Sequence, residues 1–127
     1  MIAHLRERVA QALSSVERVT FATCGPAGPQ VSVVVCRALG TTMYLLVRRA
    51  SDHLFNLEQS GEVMIVAPSW ELRGHARPLA QPPAGIVGIQ RMDDLTEHAW
   101  EVWIEVIPVR LQLLTDDGQS ILETVDL

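Results

Sequence analysis

Val47-Arg48-Arg49-Ala50-Ser51-Asp52-His53-Leu54-Phe55-Asn56-Leu57 is where an apolar strand runs out on two arginines and gives way to a short helix. Met43 to Val47 is apolar and carries the β-favouring Tyr44 and Val47, so it predicts a strand. Ser51 is an N-cap type whose hydroxyl accepts a hydrogen bond from an early helical N–H, and Gly61 is placed to end the helix. A helix start leaves N–H groups unpaired at the positive end of its dipole. With the Ser51 hydroxyl and Arg48 or Arg49 beside it, such a start would seat an anion, for instance a phosphate. Successive strand residues point to opposite faces, so in a strand that stays regular through Arg49 only one of the two guanidiniums faces that seat. The same residue types also describe a helix capped for its own sake beside two solvated arginines.

Upstream, Ile2, Leu5, Val9, Leu13 and Val16 recur at spacings of three and four with polar residues between them, an amphipathic helix that covers something apolar. Val19 to Cys24 predicts a strand, Gly25-Pro26-Ala27-Gly28-Pro29 a turn, and Gln30 to Ala38 the returning strand, with Val31, Val33 and Val35 on one face and Ser32, Val34 and Cys36 on the other. Leu39-Gly40-Thr41-Thr42 turns the chain into the Met43 strand, making a three-stranded meander. Downstream, Glu62 to Ala67 is a fourth strand and Leu72 to Leu79 a fifth. In the fifth, Arg73, His75 and Arg77 share one face and Leu72, Gly74 and Ala76 the other. Gly74 marks a bulge or leaves room for another backbone or a flat ligand. The stretch from Gln81 to Glu97 carries no clear periodicity and fits a mobile loop. Trp100 to Leu114 is a long strand in which Pro108 requires an edge or a bulge, and Gln119 to Leu127 is a closing strand or short tail. The expected fold class is mainly β, a six-stranded antiparallel barrel with two flanking helices.

The 127 residues, 48% of them hydrophobic, suit one domain over residues 1–127. A net charge of −5 argues against nucleic acid as a general partner. That charge is uneven: residues 1–91 hold nine arginines against six carboxylates, a balance of +3, and residues 92–127 hold Arg110 against nine, a balance of −8. The two parts could complement each other within a chain or across a dimer, and an acidic solvated tail gives the same count. The chain has no lysine, which removes Schiff-base chemistry and the internal aldimine of pyridoxal-phosphate enzymes. Cys24 and Cys36 read as buried, reduced thiols, and no paired spacing of cysteines or histidines suggests zinc. No segment has transmembrane length and the first residues do not form a signal peptide, so a cytoplasmic location without membrane contact is expected.

In this order of elements the chain resembles, over most of its length, the pyridoxamine-phosphate-oxidase-like, FMN-binding split-barrel superfamily. The resemblance rests on an N-terminal helix, the hairpin Val19-Thr20-Phe21-Ala22-Thr23 … Gly28-Pro29-Gln30-Val31-Ser32, the third strand followed by Ser51-Asp52-His53-Leu54-Phe55-Asn56-Leu57, the Arg73-Gly74-His75-Ala76 strand and a Trp-rich terminal strand. It implies a Greek-key split barrel and a homodimer with FMN in clefts between protomers. Activities in the family range from oxidases and reductases to haem handling and no known catalysis. By this resemblance the segment around Ser51, where the family often has Ser-Arg-Lys, would hold the flavin phosphate, with Val47, His53 and either Arg48 or Arg49. The second strand, Val31 to Val35, would run beside the ring with Ser32, Val33 and Val34 as candidate contacts, and Arg73 and His75 complete the candidate cofactor-binding set. True pyridoxamine phosphate oxidases carry an arginine early in that second strand, where this chain has Ser32 and its neighbours, so the resemblance is to the broad superfamily.

Ser51, Asp52 and His53 sit side by side without forming a catalytic triad, because consecutive helical residues diverge by about 100° around the axis. His53 could donate to a phosphate or propionate or bond locally, Asn56 could fix the neighbouring loop, and His75 with Arg73 and Arg77 could meet an anionic substrate, a haem or solvent. Trp70, Trp100 and Trp103 could stack on a flavin, and most of them are expected to serve core or dimer packing. Three functions fit: a flavin-dependent oxidoreductase with unknown substrate, a haem-binding or haem-degrading relative, and a cofactor-free dimer acting as a binding or stress-associated module.

Overall fold

The structure is a computed structural model that describes residues 2–86 and 100–127. Helix α1 spans Ile2–Ser14, and strands β1 to β3 span Arg18–Thr23, Gln30–Leu39 and Thr42–Arg48. Helix α2 spans Asp52–Leu57, followed by β4 Glu62–Ala67, β5 Trp70–Pro78, β6 Glu101–Leu114 and β7 Ile121–Asp126. Most of the unassigned stretch between Gln81 and Glu97 lies outside the described residues.

All pairings are antiparallel, in the order β3-β2-β1-β4-β5-β6-β7, and β3 also pairs with β6. That pairing, Met43 opposite Val106 through Arg48 opposite Glu101, closes β1 to β6 into a six-stranded barrel. The meander β1-β2-β3 followed by β4 beside β1 is a Greek key, and α2 makes the crossing from β3 to β4. The barrel splits along β6, whose first half meets β3 while Arg110 to Leu114 meets β7. The C-terminal segment is therefore an added strand and does not close the barrel.

Alternation places Val19, Phe21, Val34, Cys36, Met43, Leu45, Val63, Ile65, Leu72, Ile104 and Val106 in one core. Val9 and Leu13 of α1 cap it, and the indole of buried Trp70 donates to Ala12 O at 3.0 Å, satisfying a carbonyl of the last helical turn. A smaller cluster of Leu46, Trp103 and Ile86 covers the outside of β3 and β6. The register shift between Arg73 and Gly74 sets Gly74 opposite Pro108, the expected bulge. A Cβ on Gly74 would lie 2.6 Å from Ile107 O, so the glycine is there for close backbone approach.

Two details differ from the sequence-based expectation. Gly61 does not end α2: the helix stops at Leu57 with Glu58 as its C-cap, and Gly61 O instead accepts from Ala76 N at 2.7 Å. Cys36 is buried but Cys24 is exposed, because it lies beyond the last paired residue of β1. Burial pushes the Cys36 thiol up to about 11, with Arg37 opposing and Glu17 adding to the shift.

Candidate functional site

β2 builds one wall. From Gln30 to Val35 it pairs with β1, but its pairing with β3 starts only at Val35, so among the described residues the other edge of Gln30 to Val34 has no strand partner. Cys36 N–H bonds Glu17 O on the β1 side, and alternation therefore turns the backbone groups of Val31 and Val33 towards the open edge. The end of β3 and the start of α2 face that edge. Between them is a cleft of about 530 Å³, within the size range of small-molecule sites.

Ser32, Val33, Val34, Val47, Arg48, Ser51 and His53 all line it with Val35, the end of the strand that the resemblance sets beside the ring, and with Leu46, Ala50 and Glu101, which sequence reasoning did not single out. Val35 and Leu46 extend strands already in view, whereas Glu101 arrives through the β3–β6 register as the partner of Arg48. Arg49 does not line this cleft; its backbone N–H bonds Trp100 O at 2.8 Å, which continues the strand pairing one residue past Arg48. Arg73 and His75 are also elsewhere. They lie on the outer face of β5 and line a second opening of about 550 Å³ with Cys24, Glu62, Met64 and Val109.

At the polar end Ser51 caps α2, its Oγ accepting from His53 N at 3.1 Å, while Leu54 N bonds Ser51 O. Those two early N–H groups are thus used inside the helix, and Asp52 already complements the dipole in its first turn. The Ser51 hydroxyl hydrogen and the Arg48 guanidinium, which forms no ion pair with any described residue, are side-chain donors for an anion here, and the Glu101 carboxylate lining the same cleft opposes them. This donor set fits a phosphate at one end, and the Val33, Val35 and Leu46 side of the cleft fits a flat apolar ring.

His53 is only 2% exposed and is not an open phosphate donor. Its Nδ1 lies 2.8 Å from Thr23 Oγ1, its Nε2 lies 3.0 Å from Ser32 Oγ, and its ring packs on Phe21 at 4.7 Å. Burial lowers its pKa, with Asp52 opposing, so the imidazole is neutral at pH 7. Both nitrogens are engaged, which leaves neither for iron. Behind it, fully buried Asn56 accepts from Ala27 N at 2.9 Å and donates to Gly28 O at 2.9 Å and Thr23 Oγ1 at 3.1 Å, tying α2 to the β1–β2 turn. Among the tryptophans, Trp70 and Trp103 are packing residues and Trp100 is exposed.

No protein-family model matches the sequence, and no curated protein does. Solved structures match over nearly the whole chain. General Stress Protein 26 from Bacillus anthracis str. Sterne superposes with a TM-score of 0.73 at 15% identity, covering 98% of this chain and 99% of that one. A pyridoxamine 5'-phosphate oxidase-related, FMN binding protein from Nostoc punctiforme gives 0.57 at 13% identity, covering 94% and 85%. A heme binding protein from Mycobacterium smegmatis gives 0.65 at 18% identity, covering 95% of this chain and 56% of that one. At these identities the likeness is one of fold.

Proposed function

We propose, for a chain with the pyridoxamine 5'-phosphate oxidase-like split-barrel fold, that it is an FMN-binding oxidoreductase-like protein holding the flavin in the β2–β3–α2 cleft of a homodimer. The observation that carries this reading is the meeting, in one cleft, of a β-strand edge unpaired among the described residues with Arg48 and the Ser51 hydroxyl. Arg48 and Ser51 bind the phosphate, the open edge of β2 offers backbone groups to the ring's polar rim, and Val33, Val35 and Leu46 exclude water from one of its sides. Bound there, the flavin would supply hydride or electron transfer. Val31 and Val33, 66% and 68% exposed on the outer face of β2, leave an apolar surface beside the cleft, and a second copy covering it would complete the site. The two cysteines, unpaired with each other, suit a reducing compartment such as the cytoplasm.

The test is the absorbance of protein purified without added cofactor, followed by FMN titration read by flavin fluorescence quenching. Flavin bands and saturable quenching are expected, with the dissociation constant of Arg48→Ala/Ser51→Ala raised on the order of a hundredfold by the loss of one charge-assisted and one neutral hydrogen bond. A colourless protein that does not quench FMN rules the reading out. A Soret band would replace it by haem, a ligand the Mycobacterium smegmatis structure is described as binding.

A further inference from the structure

The orientation of Asn56 is set by two backbone groups, because Oδ1 accepts from Ala27 N–H and Nδ2 donates to Gly28 O. Its second Nδ2 hydrogen therefore points at Thr23 Oγ1. Thr23 is buried, and among the described residues His53 Nδ1 is the one group placed to take its hydroxyl proton. A buried hydroxyl left without an acceptor costs about 1–3 kcal/mol, so Nδ1 is the accepting nitrogen and the ring proton sits on Nε2. That proton goes to Ser32 Oγ. We infer that the Asn56–Thr23–His53 chain makes Ser32 Oγ an acceptor on its buried side, so that the Ser32 hydroxyl hydrogen is presented to the cleft as a fixed donor, and the ligand brings a carbonyl oxygen or unprotonated ring nitrogen to meet it.

Ser32 and His53 are close enough for a nucleophile and base, but this tautomer forbids it: an Nε2 that carries the proton cannot take one from Ser32. The dyad is a hydrogen-bond device. Ser32 is a binding residue, and Thr23 and Asn56 are positioning residues that act through His53.

The inference rests on the flavin reading only for the identity of the ligand. Its first test needs none: nitrogen chemical shifts of the His53 ring in ¹⁵N-labelled cofactor-free protein at pH 7.5 will report the proton on Nε2, and a proton on Nδ1 overturns the proposal. The second test is FMN titration. Ser32→Ala weakens binding about tenfold, as expected for one lost hydrogen bond. Thr23→Ser retains both wild-type affinity and wild-type tautomer. Thr23→Asp, an acceptor towards both Asn56 and His53, moves the ring proton to Nδ1 and weakens FMN to the level of Ser32→Ala. Unchanged affinity in Ser32→Ala, or covalent labelling of Ser32 by a fluorophosphonate, also overturns it. Should the unmodified protein bind no FMN at all, the flavin reading falls while the ring-nitrogen measurement still decides this one.

Discussion

Asn56 and His53 are the two polar side chains that α2 buries, and their costs differ in kind. Asn56 forms hydrogen bonds to Ala27, Gly28 and Thr23, so Asn56→Ala strands two backbone groups of the β1–β2 turn and one buried hydroxyl contact. The expected loss is about 3 kcal/mol, read as a lower urea midpoint with an unchanged slope. His53 makes stability depend on pH. Its folded pKa lies below the ordinary histidine value of 6.5, chiefly through burial, so between the two the unfolded chain binds more protons than the native one. Its contribution is fully present above about pH 6.5 and declines as pH falls towards the folded value. Urea midpoints at pH 7.5 and 5.5 will show a larger fall for the natural protein than for His53→Gln, and equal falls would refute this assignment. That His53 faces inward to Thr23 and Ser32 was not readable from Ser51-Asp52-His53, because both partners come from another hairpin.

At the scale of elements, the decisive pair is β5 and β6. Every outward residue of β5 from Glu71 to Arg77 is polar and its inward residues are apolar or glycine, an alternation plain in the sequence. The bulge is different. Pro108 announced an irregularity, but its pairing with Gly74 depends on the register. Gly74→Ala would push a methyl group to 2.6 Å from Ile107 O and 3.0 Å from Val106 Cγ1, forcing the two strands apart. A destabilisation of roughly 1–3 kcal/mol is expected, measurable as a lowered thermal midpoint. A variant as stable as the natural chain would mean that β6 can shift there at no cost.

For the whole molecule, closure by β3 against β6 leaves the β2 edge open and turns Val31 and Val33 outward with Met64 and Val109. Among the described residues no helix is long and apolar enough to cross a membrane, so a membrane-spanning helix does not explain that surface. On the homodimer proposal, Val31→Glu/Val33→Glu would be monomeric by light scattering at micromolar concentration and would bind FMN more weakly. A natural chain that is itself monomeric under those conditions would remove the partner from the site. Arg8 and Glu123 form an ion pair between α1 and β7, which joins the basic first part of the chain to the acidic last part within one molecule.

The sequence by itself determined the two helices, the first six strands and most of their faces, because hydrophobic alternation, the Ser51 cap and the Gly and Pro turns are local and act on the chain within a few residues. It also pointed to the Arg48–Ser51 corner, where a strand end and a helix start are neighbours along the chain. Only the tertiary structure decided that Arg48 and not Arg49 faces the cleft, that Arg73 and His75 belong to another opening, and that His53 joins Thr23 to Ser32. Those outcomes depend on which strand edges pair and in what register, and pairing between distant strands is a property of the closed barrel that no local spacing encodes.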